Sequence, residues 1–317
     1  MNRLSRHSSP PLAVQVLREG IVESTHTVHV AACDNRGRIL ASAGDPEFGT
    51  FIRSSLKPFQ ALAITTTGAL DYFHLTDKDL AIICSSHQGN LAQVRQAFNI
   101  LWRCDVEPLA LQCPIPEGKD TPLAHCCSGK HAGMLAVCKQ RGWSLDGYTQ
   151  RSHPVQQLVI KQVAELLGMP GDEFICAHDN CGVPTYLMQL SQIATLFAKL
   201  ASGDSLELER IVRAMTSYPE MISGPDGFDS QLMALSEGAV VSKSGSEGVQ
   251  CVGRVGDGMA ISIKVADGSK RAKYATAVYL LKQLGWITPD VSEALEAKFM
   301  MPGKYTRIDV VGDMPLI

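Results

Sequence analysis

The stretch FIRSSLKPFQ, residues 51–60, places Ser54 three residues before Lys57. Residues at i and i+3 share a face of a helix. From Ser55 to about Tyr72 the apolar residues recur with a helical period. A neutral Lys57 at this spacing can take the proton of Ser54, and a lysine becomes neutral through burial or a neighbouring cation. Ser55 has no base three residues on. The same residues also read as an ordinary helix start, with Ser54 as the cap and Lys57 in solvent. S-x-x-K alone leaves both readings open.

VVSKSGSEG, residues 240–248, adds Lys243-Ser244-Gly245 on a predicted strand. S-x-x-K followed late in the chain by K-[ST]-G is the pairing of penicillin-binding proteins and serine β-lactamases. The segments around the two motifs suit that architecture. LAVQVLREG (12–20), THTVHVAACD (25–34) and GRILASAGD (37–45) read as strands, with a hairpin turn at 35–37. VVSKSG (240–245), VQCVGRV (249–255) and MAISIKVAD (259–267) read as three more. Between them the periodicity predicts helices over 90–102, 129–141, 154–168, 184–202 and 205–217, with Pro154 and Pro184 in first turns. LAIICSS (80–86) reads as a short strand or a helix end, 105–126 and 223–229 as loops, and 269–284 and 289–300 as closing helices. The expected fold is α+β: an antiparallel sheet from the N- and C-terminal segments with a central helical lobe. One compound domain over 1–317 is expected, with a sheet lobe from 12–53 and 238–286 and a helical lobe over 54–237.

Composition narrows the function. Charged residues are 19% and the formal net charge is −3, so nothing marks a nucleic-acid partner. No apolar run is long enough to span a membrane. MNRLSRHSSPPLAV at the start has no long apolar core, so no signal peptide is expected and the cytoplasm is the expected location. The ten cysteines are then expected to be reduced, most of them as small buried hydrophobes.

Three further stretches carry polar chemistry. CSSHQGN (84–90) sets Ser86 and His87 after an apolar run, where they face a cleft or simply enter a helix. CCSGKHAGML (126–135) holds Cys127 and Lys130 at i, i+3 on a helix start. AHDNCGVP (177–184) puts Cys181 ahead of another predicted helix. Helix N-termini lower thiol pKa values, and two thiolates that meet can hold zinc. Without a C-x-x-C pair, two free thiols fit the spacing as well. His131 and Asp179 flank these segments.

RSSLKP, SSHQGN, CSGKHAGML, DNCGVP, SGPDGFDS and KSGSEGVQCVG, in this order, closely resemble the Rhizobium-etli-type L-asparaginases, the asparaginase II family, from about Leu12 to Trp286. That family is similar in fold to serine β-lactamases and serine-dependent glutaminases. The resemblance implies hydrolysis of L-asparagine to L-aspartate and ammonia, and a homodimer. It implies Ser54 and Lys57 as one Ser-Lys pair, and Ser86 with a late lysine as a second. That lysine is Lys243, with Lys264 also available. It implies one zinc per chain held by Cys127, Lys130, Cys181 and water, and Arg53, His87, His131 and Asp179 around the substrate. A glutaminase or other serine amidohydrolase of this fold is the nearest alternative. A catalytically silent metal-binding protein is the alternative from another class.

Overall fold

A computed structural model describes residues 9–316. Most of the N-terminal stretch read for a signal peptide, residues 1–8, lies outside them. Strands β1 (Leu12–Arg18), β2 (Ile21–Asp34), β3 (Ile39–Ala43) and β4 (Gly49–Phe51) precede the first long helices. β5 (Cys176–His178) and β6 (Pro184–Gln189) interrupt the helices. β7 (Val240–Ser244), β8 (Val249–Arg254), β9 (Met259–Val265) and β10 (Thr306–Val311) follow. The chain divides into two compact units. One comprises residues 1–55, 188–203 and 232–317, the other 56–187 and 204–231.

The first unit is built on an antiparallel sheet of order β10-β1-β2-β9-β8-β7, with β3 also on β2. It confirms the α+β class, with the sheet drawn from both ends of the sequence. The hairpin turn at 35–37 forms as read: Gly37 takes φ +81°, a left-handed conformation that glycine adopts without strain, and its N–H donates to Asp34 O. β8 and β9 are buried along both faces. The helix Leu190–Ala201 covers one face, where Leu190 and Ala194 pack on Ala31 and Cys33 and Ser262 Oγ donates to Leu190 O at 2.7 Å. Gly253 permits this approach, because a Cβ there would stand 2.8 Å from Phe197 O. The helix Lys270–Gln283 packs on the same strands, and alternation of side chains leaves it the other face.

One local reading is corrected, one is decided between its two alternatives, and one strand is new. Pro184–Gln189 is a strand, not the start of a helix, and the helix begins only at Leu190. Gly182 turns the chain at φ +85°, Pro184 opens the strand where no ladder donor is required, and Tyr186 pairs with Cys176. LAIICSS, read as a short strand or a helix end, is a helix end: Asp77–Ile83 is helical, started by a reciprocal Thr76–Asp79 capping box. β10 had no counterpart in the sequence reading, and it pairs with β1 from Ala13↔Val311 to Arg18↔Thr306.

The second unit is helical. Helices Asp77–Ile83, Leu91–Arg103, Ser128–Arg141, Pro154–Leu167 and Leu206–Ser217 pack together. Asn90 caps the second of these, as its sequence predicts. In the Ser128–Arg141 helix, every residue from Ser128 to Cys138 is buried. Gly129 and Gly133 lie one turn apart against the Asp77–Ile83 helix. A Cβ on Gly129 would fall 2.1 Å from Ile82 O, and one on Gly133 would fall 2.9 Å from Ile83. The two glycines let the backbones touch, which fixes where Cys127 and Lys130 stand.

Candidate active site

In the helical unit Lys57 opens the short helix Lys57–Gln60 and is completely buried. Its ammonium donates to Ser85 O at 2.5 Å, to Ser86 Oγ at 3.0 Å and to Cys126 O at 3.2 Å. The two carbonyls occupy two N–H groups. A neutral amine has only two N–H groups, so its lone pair then faces the Ser86 hydroxyl. Ser86 is half-buried, and its own N–H is held by Ile222 O at 2.8 Å.

The same unit brings Cys127, Lys130 and Cys181 together. Lys130 Nζ donates to Cys181 Sγ at 3.0 Å. Cys127 stands at the start of the Ser128–Arg141 helix as read, at the N-cap position without a side-chain capping bond. Cys181 does not precede a helix. It sits in the Asp179–Gly182 turn, where Gly182 N–H donates to Asp179 O at 2.8 Å and β6 follows. All three side chains are buried. Hydrogen bonds from the Cys126 and Cys181 thiols hold the Cys127 thiol well below its ordinary range, with Lys57 and Lys130 adding to them against burial. The Cys127 hydrogen bond and burial push Cys181 up. Burial opposes charge on Lys130, but Cys127, Cys181 and Asp179 outweigh it and raise its pKa. Of the two thiols Cys127 is thus the more readily ionised, and its neighbours favour the charged form of Lys130. Two sulfurs and one amine, buried and converging, are a donor set that fits zinc.

Both flanking histidines are buried; among the described residues, His87 is bonded through both ring nitrogens and His131 through Nδ1 alone. Gly89 N–H donates to His87 Nδ1 at 3.0 Å, so the ring proton is on Nε2 and goes to Ser128 Oγ at 2.8 Å. Burial, then the Lys57 charge, pushes His87 down to about 3. Tyr148 Oη accepts from Gln112 N at 2.9 Å and shares a hydrogen bond of 2.6 Å with His131 Nδ1. Burial, then Lys130, holds His131 well below its usual value. Both rings are neutral. Asp179 is half-buried, and its carboxylate accepts the Asn180 N–H at 2.8 Å.

In the sheet unit Ser54 lies in the 3-10 turn Arg53–Leu56. Arg53 takes φ +53°, a left-handed conformation unusual for a side-chain-bearing residue. Lys243 is buried in β7, and its Nζ donates to Ser244 O at 2.9 Å. Lys264 Nζ donates to Glu247 O, and burial lowers its pKa. The sequence reading missed two residues here. Ser55 Oγ donates to Lys243 O at 3.1 Å and ties the serine turn to the K-S-G strand. Lys273, buried on the Lys270–Gln283 helix, donates to Gly245 O at 2.6 Å and Val249 O at 3.1 Å and pins the turn after that strand. Both contacts join positions far apart in sequence, so no local motif announces them.

The sequence model of L-asparaginase II matches residues 14–316. The chain belongs to the L-asparaginase II family. That is a family of amidohydrolases, and this member carries the serines, lysines and cysteines described above. Among solved structures, Mglu in its native form is 16% identical, with a TM-score of 0.48 over 81% of this chain and 64% of that one. The family member thus spans less than two thirds of the Mglu chain. A beta-lactamase from Mycobacterium bovis is 13% identical, with a TM-score of 0.44 over 86% and 95% of the two chains. No curated protein sequence matches the chain.

Proposed function

We propose that this chain hydrolyses the side-chain amide of L-asparagine to L-aspartate and ammonia. The observation that carries the reading is the fully buried Lys57, fixed by two carbonyls with its third position on Ser86 Oγ. Ser54 is the nucleophile, following the strained Arg53 turn. Its oxygen attacks the amide carbon as its proton passes, by way of Ser86 Oγ, to neutral Lys57. Lys57 returns a proton to the leaving nitrogen, through Ser86 Oγ. Ammonia departs, and water activated by the same base cleaves the ester. Main-chain N–H groups at the helix start stabilise the oxyanion. Lys243, with Lys264 as the other candidate, is the second cation of the K-S-G side. Arg53 and Asp179 bind the substrate's charged groups, while His87 and His131 support the site from within. A second reading, in which Ser86 itself attacks, is favoured by its 3.0 Å bond to Lys57. Acid-quenching the enzyme during turnover and mapping the aspartyl adduct by mass spectrometry decides between them. An adduct on Ser86 overturns the Ser54 assignment, and no ammonia from any amide overturns the reading as a whole.

Discrimination against glutamine rests on one methylene. Such a difference is worth about 1–3 kcal/mol, or roughly 10–200-fold. The expected result is a kcat/KM for asparagine above that for glutamine within that range, measured by ammonia release. The reverse order would make the enzyme a glutaminase.

Zinc is proposed at Cys127, Lys130 and Cys181, where a bound cation would supply a fixed positive charge near the thiol side of the site. Binding requires both thiols and the Lys130 amine to give up their protons, and the neighbours of Lys130 favour its charged form. Uptake of one zinc should therefore release protons. Calorimetry in buffers of different ionisation enthalpy measures the number, and zero would rule out this ligand set. We also propose a homodimer acting in the cytoplasm. Among the described residues no helix is long and apolar enough to cross a membrane. Sedimentation equilibrium tests the dimer.

A further inference from the structure

The catalytic reading leaves two donors beside Cys127 unused. Eight of the ten cysteines are buried, but Cys126 is exposed, against the expectation of a small buried hydrophobe. Its Sγ lies 3.8 Å from Cys127 Sγ. Two sulfurs bound to one tetrahedral zinc at about 2.3 Å each stand about 3.8 Å apart, so this pair already has the spacing of metal ligands. His125 completes a trio whose donor atoms all lie within 4.8 Å of one another. The Cys127 N–H donates to His125 Nδ1 at 3.1 Å, which puts the ring proton on Nε2 and a lone pair on Nδ1. An incoming cation would displace this bond and the Cys126–Cys127 sulfur contact. Imidazole and two thiols suit a thiophilic divalent ion rather than magnesium or calcium.

Burial gives the trio its purpose. Cys127, Lys130 and Cys181 are only 4%, 2% and 1% exposed, so an ion from solvent cannot meet them first. Cys126 is exposed, His125 is half-buried, and both converge on the Cys127 sulfur. We propose that His125, Cys126 and Cys127 form a second, solvent-facing position for a thiophilic divalent cation. This position shares the Cys127 sulfur with the buried trio and passes metal to it. The transfer rests on the zinc reading above, whereas the outer position does not.

Cobalt(II) tests both halves, because thiolate-to-cobalt charge-transfer absorption reports sulfur ligation without any assay of activity. The full chain is stripped of metal and titrated. Cys181→Ser disables the buried trio, and Lys130→Met does so by another route should that variant fail to fold. Either should still bind cobalt with charge-transfer absorption, and adding Cys126→Ser should abolish it. Cys126→Ser alone should still fill to one cobalt per chain, but about tenfold more slowly in stopped flow, because the ion is no longer concentrated beside Cys127. No charge-transfer absorption in Cys181→Ser and Lys130→Met would overturn the outer position. Wild-type filling rates in Cys126→Ser would overturn the transfer. A Cys126→Ser chain that binds no cobalt, beside a Cys181→Ser chain that does, would refute the buried zinc site and leave the outer position standing.

Discussion

Lys57→Met should lower kcat/KM for asparagine by about 10³-fold, within the 10²–10⁴ that a positioned base supplies, and Lys57→Arg should not restore it. Arginine keeps the positive charge and can still donate to Ser85 O and Cys126 O. It cannot give up its proton at any pH that the fold survives. Activity lost in both variants therefore separates a base from a mere cation. Ser54→Ala should fall as far, and the double variant Ser54→Ala/Lys57→Met little further, because members of one catalytic unit do not add. Full activity in Lys57→Arg would remove Lys57 from the base role.

The largest effect on stability is expected at Gly129. A Cβ there would meet Ile82 O at 2.1 Å and Ile82 C at 2.7 Å. Both atoms are backbone, so no side chain can swing aside. The two helices must separate, and overpacking of this kind costs about 3 kcal/mol or more. Gly129→Ala should therefore unfold at a markedly lower urea concentration, with an unchanged slope. Helix propensity works the other way, favouring alanine by about 1 kcal/mol, so a stabilised variant would show that the helices are not in backbone contact. Gly129 lies between Cys127 and Lys130, so metal affinity should fall with stability. Gly142→Ala is the control: its Cβ meets nothing within 4 Å, and only the positive φ of +66° opposes it.

What could be read from the sequence was local. The alternating or β-branched runs of β1 and β2 and the apolar runs of β7–β9 carried the antiparallel sheet, and the Cys127 helix start was visible in CCSGKHAGML. What could not be read needed a partner distant in the chain. Ser55 owes its place to Lys243, 188 residues away. β10 is a half-exposed edge strand whose pattern is weak until β1 lies beside it. Pro184 suits the first position of a strand as well as of a helix, and only pairing with Cys176–His178 decides which. Cys126 looked like one more small apolar residue, and only its solvent exposure sets it apart from its neighbour.

The pairing of β10 with β1 sets an order of events during synthesis. Residues 56–187 and 204–231 leave the ribosome well before Thr306–Val311, and they can collapse on local helix contacts. β1 waits far longer for its outer neighbour. Until β10 is made, one edge of β1 offers unpaired N–H and C=O groups to any extended chain nearby. Polysomes carrying the chain are thus the setting in which aggregation or chaperone capture should concentrate. A ribosome stalled before residue 306 should hold a folded helical unit while the sheet is still open along β1.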